Sequence, residues 1–384
     1  MEDIYKKALE LHKEYKGKIE IGLKKDFTED DLKLVYTPGV AQACREIAKD
    51  KNNVYKYTMK SNTIAVITDG SAVLGLGDIG PEAALPVMEG KCALFKKFGN
   101  VNAFPICLNA YDTDEIVNII KKISKGLGGI NLEDISAPRC FEIEEKLKKE
   151  LDIPIFHDDQ HGTAIVVLAF LINALRLTHQ EKNNLKIVIN GAGAAGIAIA
   201  QLLFEYGFKN ITVCDSKGII NSRRDDLNRY KQNLLTYTNF ENLDGDLGKA
   251  IKNSDIFIGV SKGNVLTKEM IKSMNENPII LAMANPIPEI NPKDAQDAGA
   301  YIIGTGRSDF ENQINNVLVF PSLFSAILKL GIIDIDNNIK IKTAEAIAYI
   351  ISDEELSTKY LLPNVFDTRI KERVLDKLTK HSNI

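Results

Sequence analysis

The sequence predicts an α/β protein in two parts. An N-terminal α/β domain spans residues 1–160, and a Rossmann-like dinucleotide-binding domain with C-terminal helices spans 161–384. Short apolar, strand-like runs alternate with helix-length amphipathic segments through most of the chain, the pattern of βαβ units around parallel sheets. Two acidic pairs follow two consecutive strand-like runs, as functional groups do at the carboxyl ends of such strands. Further on, Leu185 to Asn190 reads as a buried strand and runs without a gap into Gly191-Ala192-Gly193-Ala194-Ala195-Gly196 and a helix of small residues. That uninterrupted strand–GxGxxG–helix order is the fingerprint of a dinucleotide pyrophosphate site.

Length and composition bound the rest. A chain of 384 residues, 45% apolar, has room for two or three cores. A net charge of -4 with both signs interspersed leaves no nucleic-acid footprint. The longest unbroken apolar run, Ala164 to Ile172, is shorter than the roughly 20 residues of a membrane span, and the opening MEDIYKKALELHKEY reads as a charged amphipathic helix, not a signal peptide. Five cysteines, at 44, 92, 107, 140 and 214, are odd in number and lack CxxC spacing. They fit reduced residues of a cytoplasmic protein.

The stretch with most chemistry runs from 128 to 163. Gly128 to Leu132 and Ile153 to Phe156 look like parallel strands joined by a helix with Pro138 in its first turn, and they end in Glu133-Asp134 and Asp158-Asp159. Parallel neighbours end on the same side, so the four carboxylates converge and repel unless a cation sits among them. All-oxygen ligation suits Mg²⁺ or Mn²⁺. The plainer alternative makes each pair a helix cap or a polar turn, but two pairs at matching strand ends favour the metal. His157 and His161 tempt a zinc reading, yet they span a strand end and a turn, whereas HExxH needs both on one helix.

Further candidates lie on either side. Leu32 to Ala41 reads as an extended run closed by a Pro38-Gly39 turn that opens a helix, so Tyr36 sits beside a helix N-terminus, where a phenol gives up its proton more readily; a packed core tyrosine is the commoner outcome. Gly75-x-Gly77-x-x-Gly80 stands several residues beyond the strand Asn62–Thr68 and reads as a tight active-site loop, not a second dinucleotide turn. In the helical segment from Pro81, Ala84, Val87, Met88, Leu94, Phe95 and Phe98 share one face, with Lys91 in its middle. Such a lysine either snorkels to water or lies in a dry pocket that lowers its pKa and leaves it a neutral base. Asp215 ends the strand Asn210–Asp215 at the ribose position, where it accepts from an adenosine 2′-hydroxyl and repels a 2′-phosphate; this favours NAD over NADP, with Lys217, Arg223 and Arg224 eroding the preference. Asn285 tops the strand Pro278–Ala284, within reach of a nicotinamide or substrate. Asn315 and Asn316 either cap the helix after Pro321 or bind ligand.

Together these pieces resemble malic enzyme, in the compact bacterial form that lacks an appended acetyltransferase-like domain. The motifs are Tyr36-Thr37-Pro38-Gly39-Val40-Ala41, Asp69-Gly70 with Gly75-Leu76-Gly77-Asp78, Glu89-Gly90-Lys91, Asn131-Leu132-Glu133-Asp134, Phe156 to Thr163, Gly191 to Gly196, Asn285-Pro286 and Asn315-Asn316. The resemblance implies oxidative decarboxylation of (S)-malate to pyruvate and CO₂, with reduction of NAD or NADP and a divalent metal. It implies Lys91 as general base, Tyr36 as general acid, Glu133, Asp134 and Asp159 as metal ligands, and Asp158 as the partner that tunes the lysine. Asn285, Asn315 and Asn316 are the implied substrate contacts, Asn285 reaching the cofactor as well. One departure stands out: the larger members hold a substrate carboxylate with an arginine in the DGxR loop, which here reads Asp69-Gly70-Ser71-Ala72, leaving backbone N–H groups after Pro38 or Arg307 for that task. A malolactic enzyme, a metal-independent amino-acid dehydrogenase and a non-enzymatic NAD-sensing module are the rival readings. Malate is the expected partner, with a homodimer or larger homo-oligomer expected from the unpaired helical termini.

Overall fold

The computed structural model describes residues 2–73 and 75–382; Leu74, in the glycine-rich loop, lies outside them. Four strands, β1 (Thr63–Thr68), β2 (Asn102–Cys107), β3 (Gly129–Leu132) and β4 (Ile155–His157), form an all-parallel sheet in the order β2-β1-β3-β4. Thr63-Ile-Ala-Val-Ile-Thr68 is buried along its whole length, as a parallel strand covered on both faces must be. A second sheet takes β5 (Lys186–Asn190), β6 (Asn210–Asp215), β7 (Gly218–Ile219), β8 (Ile256–Gly259), β9 (Ile279–Ala282) and β10 (Ile302–Thr305) in the order β10-β9-β8-β5-β6-β7. It is parallel except for the edge hairpin β6–β7. The order runs outward in both directions from β5, so a crevice opens beyond the carboxyl ends of β5 and β8.

One helix, Asp158–Thr178, joins the halves: it starts at the tip of β4, ends before β5 and buries 14 residues, ten of them in the largest core cluster. By length and composition alone it could cross a membrane, but two thirds of its apolar window is buried within the protein, as in a core helix. Asn173 interrupts its apolar run, and the amide is fully used: Nδ2 donates to Ala348 O and Leu361 O, and Oδ1 accepts from Arg176. The helix Phe320–Leu330 closes the same core from the C-terminal side. Its Phe320 and Phe324 rings lie 4.7 and 5.3 Å from Phe95, and Phe324 lies 5.9 Å from Phe156 on β4.

Two expected elements differ. Residues 32–35, expected to be extended, lie in the helix Glu29–Val35, because Thr28 and Asp31 make a capping box that satisfies two backbone donors. The joining helix begins at Asp158, so Asp158 and Asp159 lie in its first turn, not in a polar turn before it. The positive end of the helix favours charge on both. The cysteines are all unpaired, as expected.

Lys340, on the helix Asn337–Ala348, is only 7% exposed, and its Nζ reaches Asn337 Oδ1 at 3.3 Å. Burial, aided by Lys148, pulls its amine down to about 8 from an ordinary 10.5. Below pH 8 the lysine is charged in both folded and unfolded chains and the folded state carries the full cost. Between 8 and 10.5 the folded state loses its proton first, so stability rises with pH. Lys340→Met is expected to raise unfolding free energy at pH 7 by up to about 3 kcal/mol and to flatten the rise between pH 8 and 10, both read from urea unfolding across that range.

Candidate active site

β3 and β4 pair with Leu132 opposite His157, so the two acidic pairs leave the sheet side by side. Glu133 N donates to Ile67 O and extends the ladder by one residue; Asp134 then takes a left-handed conformation, φ 52°, and its N–H donates to Asp159 Oδ2 at 2.8 Å. Oxygens of Glu133, Asp134 and Asp159 come within 4.8 Å of one another. Lys91 arrives from the helix Pro81–Leu94 and is 8% exposed. Its Nζ donates to Asp158 Oδ2 at 2.6 Å, lies 2.8 Å from Glu133 Oε1 and sits 4.2 Å from the centre of the Phe320 ring. Asn316 Nδ2 donates to the same Asp158 oxygen at 2.6 Å.

Burial dominates the acids' titration. It lifts Asp158 to about 7 and Asp159 to about 6 and pushes Glu133 up; Lys91 draws all three back, and repulsion between the acids lifts them again. For Lys91 burial acts downward, but Asp158 and Glu133 outweigh it and hold the amine protonated, above the usual lysine range. With no cation among the acids the amine is their protonated counter-ion, where a neutral, desolvated one was expected, because the apolar face that carries Lys91 turns its centre toward carboxylates. Four acids against one ammonium leave negative charge in excess, and Asp158 Oδ1 is buried without a hydrogen-bond donor. An all-oxygen set with that charge fits a hard divalent cation. His161 lies on the helix, not in the expected turn, and its Nε2 meets both oxygens of Glu144 at 2.9 Å; His157 is buried in β4. His157 Nδ1 lies 3.9 Å from Asp159 Oδ2, but the convergent ligand atoms among the described residues are those of Glu133, Asp134 and Asp159, all carboxylate oxygens.

The loop after β1 leans on this cluster: Ala72 N donates to Asp134 O and Ser136 N to Ser71 Oγ. Arg139, which sequence reasoning missed, reaches back from its helix to Asp69 Oδ2 at 2.6 Å and Ser71 Oγ at 3.0 Å. An arginine absent from the loop in sequence therefore meets it in space, as a brace. A Cβ on Gly75 would lie 2.6 Å from Asn285 O and 2.7 Å from Pro286 Cδ, so the loop rests directly on the Asn285-Pro286 turn of the second sheet. Beneath that turn Glu289, fully buried and likewise missed, accepts from Ser261 N and Ala284 N and ties the tops of β8 and β9 together.

At the other end, Gly191 has φ 130° and a Cβ there would lie 2.6 Å from Val260 O, while one on Gly196 would lie 1.7 Å from Gly191 O. A Cβ on Gly193 would meet nothing within 4 Å, so space is open beside the N-terminus of the helix Ala194–Tyr206. Partly buried Ala192, Ala194 and Ala195 frame it. That geometry fits a pyrophosphate against free N–H groups.

Residues 16–148 match the family model for the malic enzyme N-terminal domain, and residues 160–375 match the malic enzyme NAD binding domain. The chain belongs to the malic enzyme family. It is 54% identical over 375 residues, 97% of its own length and 92% of the relative's, to the bifunctional malic/malolactic enzyme of Bacillus subtilis. It is 45% identical to the NADP-dependent malic enzyme of Haemophilus influenzae, over 99% of this chain and 52% of that one. The crystal structure of the NAD-dependent malic enzyme of Thermotoga maritima superposes with a TM-score of 0.92 at 46% identity, covering 97% of this chain and 98% of the other.

The remaining malic enzyme motifs are placed unevenly. Tyr36 caps the end of the helix Glu29–Val35, is 72% exposed and is not among the hydrogen-bond partners of Lys91 or Asp158. Asn315 Oδ1 accepts from Val317 N and caps the short turn Asn316–Leu318, so of the adjacent asparagines only Asn316 bonds to the cluster. Asn285 is exposed, with its amide close to Gly306. Arg307 follows, paired with Asp309 and 3.4 Å from Pro286 O.

Gly162 is the least replaceable position in the shell, since a Cβ there would lie 1.8 Å from Asp158 Oδ1 and 3.2 Å from Asn316 Cβ. Gly162→Ala should displace Asp158 and weaken Mn²⁺ binding by about tenfold or more with the helix content retained, as measured by calorimetric titration alongside circular dichroism.

Proposed function

We propose that the chain carries out the oxidative decarboxylation of (S)-malate to pyruvate and CO₂, in the cytoplasm, with NAD as the working hydride acceptor. The observation that carries this is the buried Lys91–Asp158 pair set against three further convergent carboxylates. Glu133, Asp134 and Asp159 would hold Mg²⁺ or Mn²⁺. When bound, the metal supplies Lewis-acid polarisation of the C2 oxygen and the nicotinamide supplies a hydride acceptor. Lys91 takes the hydroxyl proton from C2. Asp158, gripped by both Lys91 and Asn316 through one oxygen, fixes the direction in which the amine points. With the three ligand acids committed to a dication, Asp158 is left as the close counter-ion of the amine, and one carboxylate holds the ammonium proton less firmly than several.

Tyr36 is assigned the return of a proton to the product carbon, the role that the resemblance implies. Its exposure, together with that of Ile4, Leu9, Ile21, Leu34 and Val40, supports a homodimer or larger assembly that covers the N-terminal helices. Arg307, beside the Asn285-Pro286 turn, is the proposed holder of a substrate carboxylate in place of the loop arginine. NAD use is supported by the Thermotoga maritima relative, named as NAD-dependent; the Asp215 charge is matched within the chain by Arg224 and Lys231.

The Bacillus subtilis relative's name favours a second reading, in which malate yields lactate without net NADH. Malate with NAD and Mn²⁺ is expected to give NADH and pyruvate in equal amounts and nothing in the presence of EDTA. Lactate without NADH would establish the second reading, and turnover surviving chelation would remove both. Lys91→Ala is expected to lower kcat by roughly a thousandfold while NADH emission still reports cofactor binding; retained turnover would remove Lys91 from the mechanism.

A further inference from the structure

Among the described residues no side chain caps the start of the joining helix, although Asp158 and Asp159 stand in its first turn. What grips that turn comes from the helix Arg139–Glu150, through Glu144, which is 5% exposed. Both Glu144 oxygens lie 2.9 Å from His161 Nε2, and Oε2 accepts from Gln160 Nε2 at 3.3 Å. Against a carboxylate the imidazole nitrogen can only donate. One buried acid thus holds the two residues that directly follow the acidic pair. Lys148 Nζ, one turn along Glu144's own helix, meets Oε1 at 2.8 Å and balances the charge. Gln160 is buried, and the His161 ring packs 5.6 Å from that of Phe156 on β4.

A helix turns by about 100° and advances about 1.5 Å per residue, so fixing residues 160 and 161 fixes the directions in which 158 and 159 leave it. Those directions matter, because Asp159 Oδ2 meets Asp134 N at 2.8 Å and Asp158 Oδ2 meets both Lys91 and Asn316 at 2.6 Å. The same helix Arg139–Glu150 also serves the other acidic pair. Arg139 at its start binds Asp69 and Ser71, and the loop they belong to bonds to Asp134 O and Ser136 N. Both pairs of acids are therefore referred to one element, which itself contributes no ligand.

We propose that Glu144 is a positioning residue for the acidic cluster: by holding Gln160 and His161 it sets the angle at which Asp158 faces Lys91 and Asp159 faces Glu133 and Asp134. This rests on the reading of Glu133, Asp134 and Asp159 as metal ligands, and the test separates the two. Mn²⁺ is titrated calorimetrically into the full chain without malate, and NADH binding is followed in parallel through the cofactor's emission. Glu144→Gln keeps the side-chain volume but breaks the paired acceptor, and is expected to weaken Mn²⁺ binding by about tenfold with NADH affinity unchanged. His161→Ala releases the grip from the other side and should weaken Mn²⁺ in the same direction, and the double variant should be no weaker than Glu144→Gln alone. Lys148→Ala leaves both gripped residues in place and should bind Mn²⁺ as the wild type does. Should Glu144→Gln fail to fold, His161→Ala against Lys148→Ala decides by the same measure. Wild-type Mn²⁺ affinity in Glu144→Gln or His161→Ala, additive losses in the double variant, an equal loss in Lys148→Ala, or an NADH affinity that falls along with the metal's overturns the positioning role and leaves the ligand set standing. Wild-type protein that binds no Mn²⁺ overturns the ligand reading and the positioning role with it.

Discussion

The bond from Lys91 to Asp158, with Glu133 on its other side, is the constraint around which the molecule is built. Four carboxylates converge where two parallel strands end, against apolar packing, and such a group is tolerable only with cations inside it. Lys91 supplies one. The charge left over defines the chemistry, because it selects a small hard dication and makes the amine's hold on its proton depend on how many acids remain unmatched. Local features follow from this. Asp158 and Asp159 lie in a helix first turn, whose dipole eases their ionisation, Gly162 leaves room for Asp158, and Asn316 holds the oxygen that Lys91 also uses.

The same helix that begins with those acids runs on through the main core and delivers the chain to β5 and its glycine turn. Asp158, Asp159 and the glycine turn after β5 are therefore placed from one rigid element, backed by the Phe95, Phe156, Phe320 and Phe324 rings and by Asn173. A second link crosses at Gly75, where the loop braced by Arg139 lies on the Asn285-Pro286 turn. Two independent ties between the sheets make the spacing of the acidic cluster and the glycine turn a property of core packing, which yields little to small forces.

The two ends of the site solve opposite electrostatic problems. At the reacting end acids outnumber cations, and ligands must bring positive charge. At the end of β6 Lys217, Arg224 and Lys231 outnumber Asp215 and Asp226, so the acids there are matched within the chain. An aspartate at the end of β6 has meaning only through the company it keeps.

The order of strands and helices, the two-part division of chemistry, the glycine turn and the two acidic pairs were legible in the sequence, because apolar periodicity and punctuation by Gly and Pro are local properties that one chain displays directly. Strand limits came within one or two residues, and the capping box that makes 29–35 helical is itself a local signal that was passed over. The surroundings of each charge were decided by the tertiary structure alone. Lys91 lies about forty residues from Glu133 in the chain, Arg139 about seventy from Asp69, and Lys231 sixteen from Asp215, and all become contacts at hydrogen-bond distance. Whether a lysine is a neutral base or a counter-ion, and whether an aspartate is open to a ribose or already filled, depends on Coulomb terms that act through space and fall off with distance. Such terms exist only once the chain has brought distant segments together.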